Sequence, residues 1–160
     1  MKSRFFLISL FLALLVGSPS TKALLVKKMT LRQVTSFSQR IFRGMVLDSS
    51  IENDAYESGY LVHYYTLRVE ECLKGDCGTG ITFKQIVSGD KLPDYQVGKT
   101  YLLFLPEESP KTGLLAPVGI SQGIYPLESS KGRFLVRGGA TGQDYDALKT
   151  EVLQYIREEK

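Results

Sequence analysis

The chain has 160 residues, with 20 Lys and Arg against 17 Asp and Glu and a single His. That length suits one ordinary domain with its own core, and an apolar content of 43% argues against global disorder. Two Cys and one His are too few for a structural zinc site.

The first 23 residues read as a secretory signal. Lys2 and Arg4 precede an unbroken apolar run from Phe5 to Val16, which Gly17, Ser18, Pro19 and Ser20 break. Thr21 and Ala23 then offer small residues at the two positions a signal peptidase reads. The run is too short to span a bilayer comfortably, and no second apolar segment follows, so export without membrane insertion is expected. Cleavage after Ala23 would leave 137 residues. It would also remove Lys2, Arg4 and Lys22, leaving 17 basic against 17 acidic residues, so the excess of +3 belongs to the leader. A neutral mature domain gives no electrostatic reason to expect nucleic acid or an anionic membrane as partner.

Thr30-Leu31-Arg32-Gln33 has the form of a capping box and predicts a short helix from Leu31 to Ser38, burying Leu31, Val34 and Phe37. Arg40–Leu47 reads as a strand in which Gly44 marks a bend, a bulge or close packing. Asp48–Gly59 is polar and reads as a loop. Gly59–Leu73 carries the longest strand signal, with Tyr60, Val62, Tyr64, Thr66, Arg68 and Glu70 on one face and Leu61, His63, Tyr65, Leu67 and Val69 on the other. Lys74-Gly75-Asp76-Cys77-Gly78 is turn chemistry, and Ile81–Val87 returns as the second strand of a hairpin. Cys72 and Cys77 flank that turn, and in an exported chain an even pair reads as a disulfide.

Ser88–Gly98 is a polar loop. Thr100–Leu105 is continuously apolar and suits a strand buried on both faces. After a loop over Pro106–Gly113, Leu114–Ile120 pairs weakly, and Gly123–Leu127 with Arg133–Arg137 predicts a last hairpin. From Tyr145 the period changes: Leu148, Val152, Tyr155 and Ile156 recur at helical spacing, predicting a helix from Gln143 to Glu158 capped by Thr141. The expected architecture is mainly β. It is an OB-type barrel of five to six strands over residues 24–142, with a short N-terminal helix and a C-terminal amphipathic helix, 143–160, packed on it. A sandwich is the alternative.

The segment order carries a resemblance. Arg43-Gly44-Met45-Val46 leads to the long strand Thr66-Leu67-Arg68-Val69-Glu70-Glu71-Cys72-Leu73-Lys74-Gly75. Val97-Gly98-Lys99-Thr100-Tyr101-Leu102-Leu103-Phe104-Leu105 and Val118-Gly119-Ile120-Ser121-Gln122-Gly123 follow. This resembles the netrin-like module shared by tissue inhibitors of metalloproteinases, and is most similar to its exported bacterial members, over residues 30–138. The resemblance implies the OB-type barrel. It does not extend to the inhibitors' chemistry, in which a Cys-x-Cys at the mature N-terminus places an amine and a carbonyl on the protease zinc. Here Leu24-Leu25-Val26-Lys27-Lys28-Met29 holds no Cys, and a protonated ammonium has no lone pair to offer in its place.

The remaining candidates sort by chemistry. Tyr60, Tyr64 and Arg68 recur every fourth residue on one strand face, with Lys84 on the next strand, and aromatics with an Arg make a protein or glycan contact surface. The bland alternative is a face covered by the terminal helices. His63 lacks an identifiable nucleophile or carboxylate partner and reads as structural. Asp90, Asp94, Glu107 and Glu108 flank one strand, but they match no calcium loop and read as solvated charge. Gly119-Ile120-Ser121-Gln122-Gly123 imitates a nucleophile elbow, yet strand-like sequence follows it and the only His lies upstream. Gly78-Thr79-Gly80 is too short to cradle a phosphate. The expectation is therefore an exported, non-enzymatic binding module without cofactor or metal, its partner a protein of the exported or envelope compartment, proteases included. A protease inhibitor acting through a surface other than the N-terminus is one alternative, and a carboxylate-based hydrolase is the other.

Overall fold

The computed structural model describes residues 27–54, 58–87, 95–137 and 143–159. The proposed leader therefore lies outside the described residues. Among them are two helices, α1 (Leu31–Ser36) and α2 (Tyr145–Glu158). The seven strands are β1 (Arg40–Asp54), β2 (Tyr60–Lys74), β3 (Gly80–Ile86), β4 (Thr100–Leu105), β5 (Ile124–Ser130), β6 (Arg133–Val136) and β7 (Gln143–Asp144). All seven join one antiparallel sheet in the order β3-β2-β1-β4-β5-β6-β7. Among the described residues the strands form one sheet rather than the two of a sandwich, and that sheet is not closed into a barrel.

The long β1–β2 hairpin explains how one sheet makes two cores. Its register slips three times, leaving Leu73 and Glu70 on β2 and Leu47 on β1 without opposite residues. Each bulge bends the ladder and adds twist. Gly44 sits across from one of them, as its type suggested. A Cβ there would lie 2.8 Å from the Arg68 carbonyl oxygen, so close approach of β2 demands glycine.

The inner face of the curled sheet holds Phe42, Val46, Tyr65, Leu67, Phe83, Tyr101, Leu103 and Leu105, with Tyr95 and Leu115 from connecting segments. The opposite face of β1, β4, β5 and β6 supplies Ile41, Leu102, Phe104, Leu127 and Val136, which pack against Val34 of α1 and Tyr145, Leu148 and Val152 of α2. Thus β4 contributes to both cores, as its unbroken apolar run predicted.

The Thr30 capping box forms as expected, and α1 buries Val34. Phe37, expected in the core, is 64% exposed because the helix stops at Ser36 and Phe37 leaves the apolar stripe. Residues 48–54, expected as loop, continue β1 beside β2. They are polar because this arm projects past β4 and stays largely wet. Asp144 caps α2 by accepting from the Asp146 amide, so the cap is not Thr141, which lies outside the described residues. Cys72 and Cys77 are disulfide-bonded across the turn. The expected weak pairing after β4 reduces to one bridge, Lys84 with Leu114, in which the Leu115 amide donates to the Lys84 carbonyl.

Candidate functional site

The register of β1, β2 and β3 fixes which side chains share a face. Asp54 stands opposite Tyr60, Ser50 opposite Tyr64, and Tyr64 opposite Lys84. Tyr60, Val62, Tyr64, Thr66 and Arg68 alternate onto the outer side, and their cross-strand partners follow them. The four residues singled out by sequence therefore lie on one face. The helices cover the other half of that face, where Ile41, Leu102 and Phe104 pack; on this half Val62 is buried, while Tyr60 and Arg68 stay exposed.

The four do not share one environment. Tyr60 is 53% exposed and the Arg68 side chain 55% exposed. Arg68 reaches Glu70 at 3.3 Å along its own strand. Lys84 is only 5% exposed and is not a free contact. Its ammonium donates to Asp54 at 2.8 Å and lies 6.0 Å from the Tyr64 ring centroid. The hydrogen bond from Lys84, with a second from Ser58, holds the Asp54 carboxyl below its usual range. Tyr64 thus stands, half-buried, on a neutralised ion pair.

Between Tyr64 and the loop after β4 lies an open groove of about 260 Å³, lined by Tyr64, Thr82, Phe83, Lys84, Glu108 and Gly113. A Cβ on Gly113 would meet the Lys84 Cε at 2.9 Å and a Glu108 carboxylate oxygen at 3.3 Å, so this position is tightly held against both. Thr66 and Thr82 pair their hydroxyls at 3.0 Å across the same surface. Rings, hydroxyls and one exposed guanidinium, mounted on a paired strand, suit recognition by contact and hydrogen bonding. Sequence reasoning missed Asp54, which it placed in a loop; Glu108, read as solvated charge, is exposed at the groove's rim, and only the fold brings the loop after β4 to β3.

The other candidates are placed elsewhere. His63 faces inward, its Nδ1 2.7 Å from the Tyr65 hydroxyl, and stacks on that ring at 4.1 Å between centroids. Ser121 sits in a backbone turn with its amide donating to Gly119, and β5 follows rather than a helix. Asp90 and Asp94 lie outside the described residues, while Glu107 is exposed. Among the described residues no group of three His, Cys, Asp or Glu is placed to hold a metal ion, and no helix is long and apolar enough to cross a membrane.

A second charged cluster ties α2 to the sheet. Glu71 accepts from Lys149 and, at 2.8 Å, from the Tyr145 hydroxyl, while Arg43 lies 3.7 Å from it. The Arg43 guanidinium also stacks on Phe134 at 4.6 Å and Tyr145 at 5.3 Å from their centroids. Burial works to raise the Glu71 carboxyl, but Lys149, Tyr145 and Arg43 win and hold it below its ordinary 4.5. The cluster staples the terminal helix rather than opening a site. No protein-family model matches the chain, and no curated protein matches it.

Proposed function

We propose that this protein is an exported, non-enzymatic module that binds a protein partner on the outer face of β2. The observation that carries the reading is the pairing of exposure with rigidity. Tyr60 and Arg68 keep more than half their surface in water, yet sit on a strand paired along its length. Such side chains lose little further freedom when a partner covers them. Lys84, held by Asp54 at 2.8 Å, stands beside the Tyr64 ring, 6.0 Å from its centroid. The leader sequence supports export. An OB-type relationship is supported by β1 pairing with both β2 and β4 and by the bridge that brings β3 to Leu114.

Immobilised protein, incubated with the native envelope fraction, tests the reading. Tyr60→Ala combined with Arg68→Ala should weaken capture of its partner by about tenfold or more, with an unchanged fold by circular dichroism. Equal capture by both forms would refute the assignment of the face. Intact mass of the exported product checks the leader: a full-length mass in the envelope would refute cleavage near Ala23.

A further inference from the structure

β1 outlasts β4. The β1–β4 seam ends at Val46, which donates to the Lys99 carbonyl and accepts from the Gly98 amide. Beyond the bulge at Leu47, Asp48–Asp54 of β1 is paired with β2 on one side, and among the described residues no strand pairs with Leu47–Asp54 on the other. An unpaired strand edge of this length is a template for another strand. The edge is not chemically neutral. Asp48, Ser50 and Glu52 lie on the outer face, opposite Thr66, Tyr64 and Val62, so no cation faces either acid across the ladder. Asp48 and Glu52 are exposed, and neither forms an ion pair among the described residues; Glu52 accepts only from Ser50, at 2.9 Å. Ile51 projects on the other face and is 56% exposed.

That pattern discriminates between occupants. A second copy pairing antiparallel about Ser50 would set Asp48 opposite Glu52, and like charges directly across a ladder repel. A strand with Lys or Arg at alternate positions would meet both acids and lay its apolar side against Ile51. We infer that the Leu47–Asp54 edge accepts, in line with β4, an extended partner segment that alternates basic and apolar residues. The inference rests on the protein-binding reading above and names how that partner is held. The acids would then both exclude self-pairing and select the ligand.

The probe is a nine-residue peptide alternating Lys and Val, titrated into the purified protein by fluorescence anisotropy and followed by amide hydrogen exchange. Binding should slow exchange within residues 47–54. N-methylation of the peptide on its bonding edge should abolish it. Asp48→Lys with Glu52→Lys should weaken the Lys peptide about tenfold or more and admit a Glu–Val peptide instead. Exchange unchanged at 47–54, or binding indifferent to N-methylation, would overturn the proposal. So would a concentration-dependent dimer protected there without peptide, or slow exchange in the free monomer at the amides of 47–54 that point away from β2. If the peptide fails while Tyr60→Ala with Arg68→Ala still loses the native partner, the face reading stands and the edge reading alone falls. If the peptide binds the edge and that variant captures normally, the face assignment falls instead.

Discussion

Two strand glycines allow the same substitution to be predicted with opposite signs. A Cβ on Gly44 would lie 2.8 Å from the Arg68 carbonyl oxygen and 3.1 Å from a ring carbon of Phe42. The oxygen belongs to backbone fixed by the bulge at Glu70, so it cannot swing aside. Overlap of this kind in a packed core costs about 1–3 kcal/mol. Replacing Gly by Ala returns about 0.4–1 kcal/mol by restricting the unfolded chain. Gly44→Ala should therefore destabilise by about 1–2 kcal/mol, lowering the thermal midpoint by roughly 4–8 °C for a domain of this size. Gly80 opens β3 without a positive φ, and a Cβ there would sit 3.4 Å from the Leu67 carbonyl oxygen, at van der Waals distance. Only the unfolded-state term then applies, so Gly80→Ala should be neutral or stabilising by up to about 1 kcal/mol. Thermal and urea unfolding, followed by far-ultraviolet circular dichroism, measure both. Equal midpoints for the two variants would refute the argument, since both place Ala at a strand glycine without a positive φ and the predicted difference comes from the space around the added methyl.

The Cys72–Cys77 bond closes a loop five residues apart, so chain-entropy reasoning gives about 2 kcal/mol lost on reduction; urea midpoints with and without reductant test this, and free thiols in the unfolded, unreduced protein would contradict the bridge. Glu71 gives the pH dependence a definite sign. Its carboxyl is held below the ordinary 4.5, so its contribution is present above that value and is lost as pH falls through the depressed folded value. Glu71→Gln should be less stable at pH 7 by about 1–2 kcal/mol and should show a flatter acid limb below pH 4.5. Acid limbs that run parallel in the two proteins would sink this account of the cluster.

The local chemistry of the chain was decided by its sequence. The Thr30 capping box, the doubly buried β4, the Gly44 close approach, the disulfide turn and the amphipathic α2 each follow from residue types within a few positions of one another. Alternation also placed Tyr60, Tyr64 and Arg68 on one face, because side-chain period in a strand is a local property. Strand ends were less legible. Residues 48–54 are polar since they form a wet arm, and polarity alone cannot separate a solvated strand from a loop. What only the tertiary structure decided is what meets whom across long separations. Lys84 looked like an exposed contact until β1 brought Asp54 against it, 30 residues away in sequence. Glu71 meets Tyr145 and Lys149 only because α2 packs against β2, more than 70 residues away in sequence. The open edge after Val46 exists only because β4 is short where β1 is long, a comparison of two strands' lengths once they lie side by side. Burial and pairing of charge are set by the neighbours a fold supplies, and no period or motif within one segment records them.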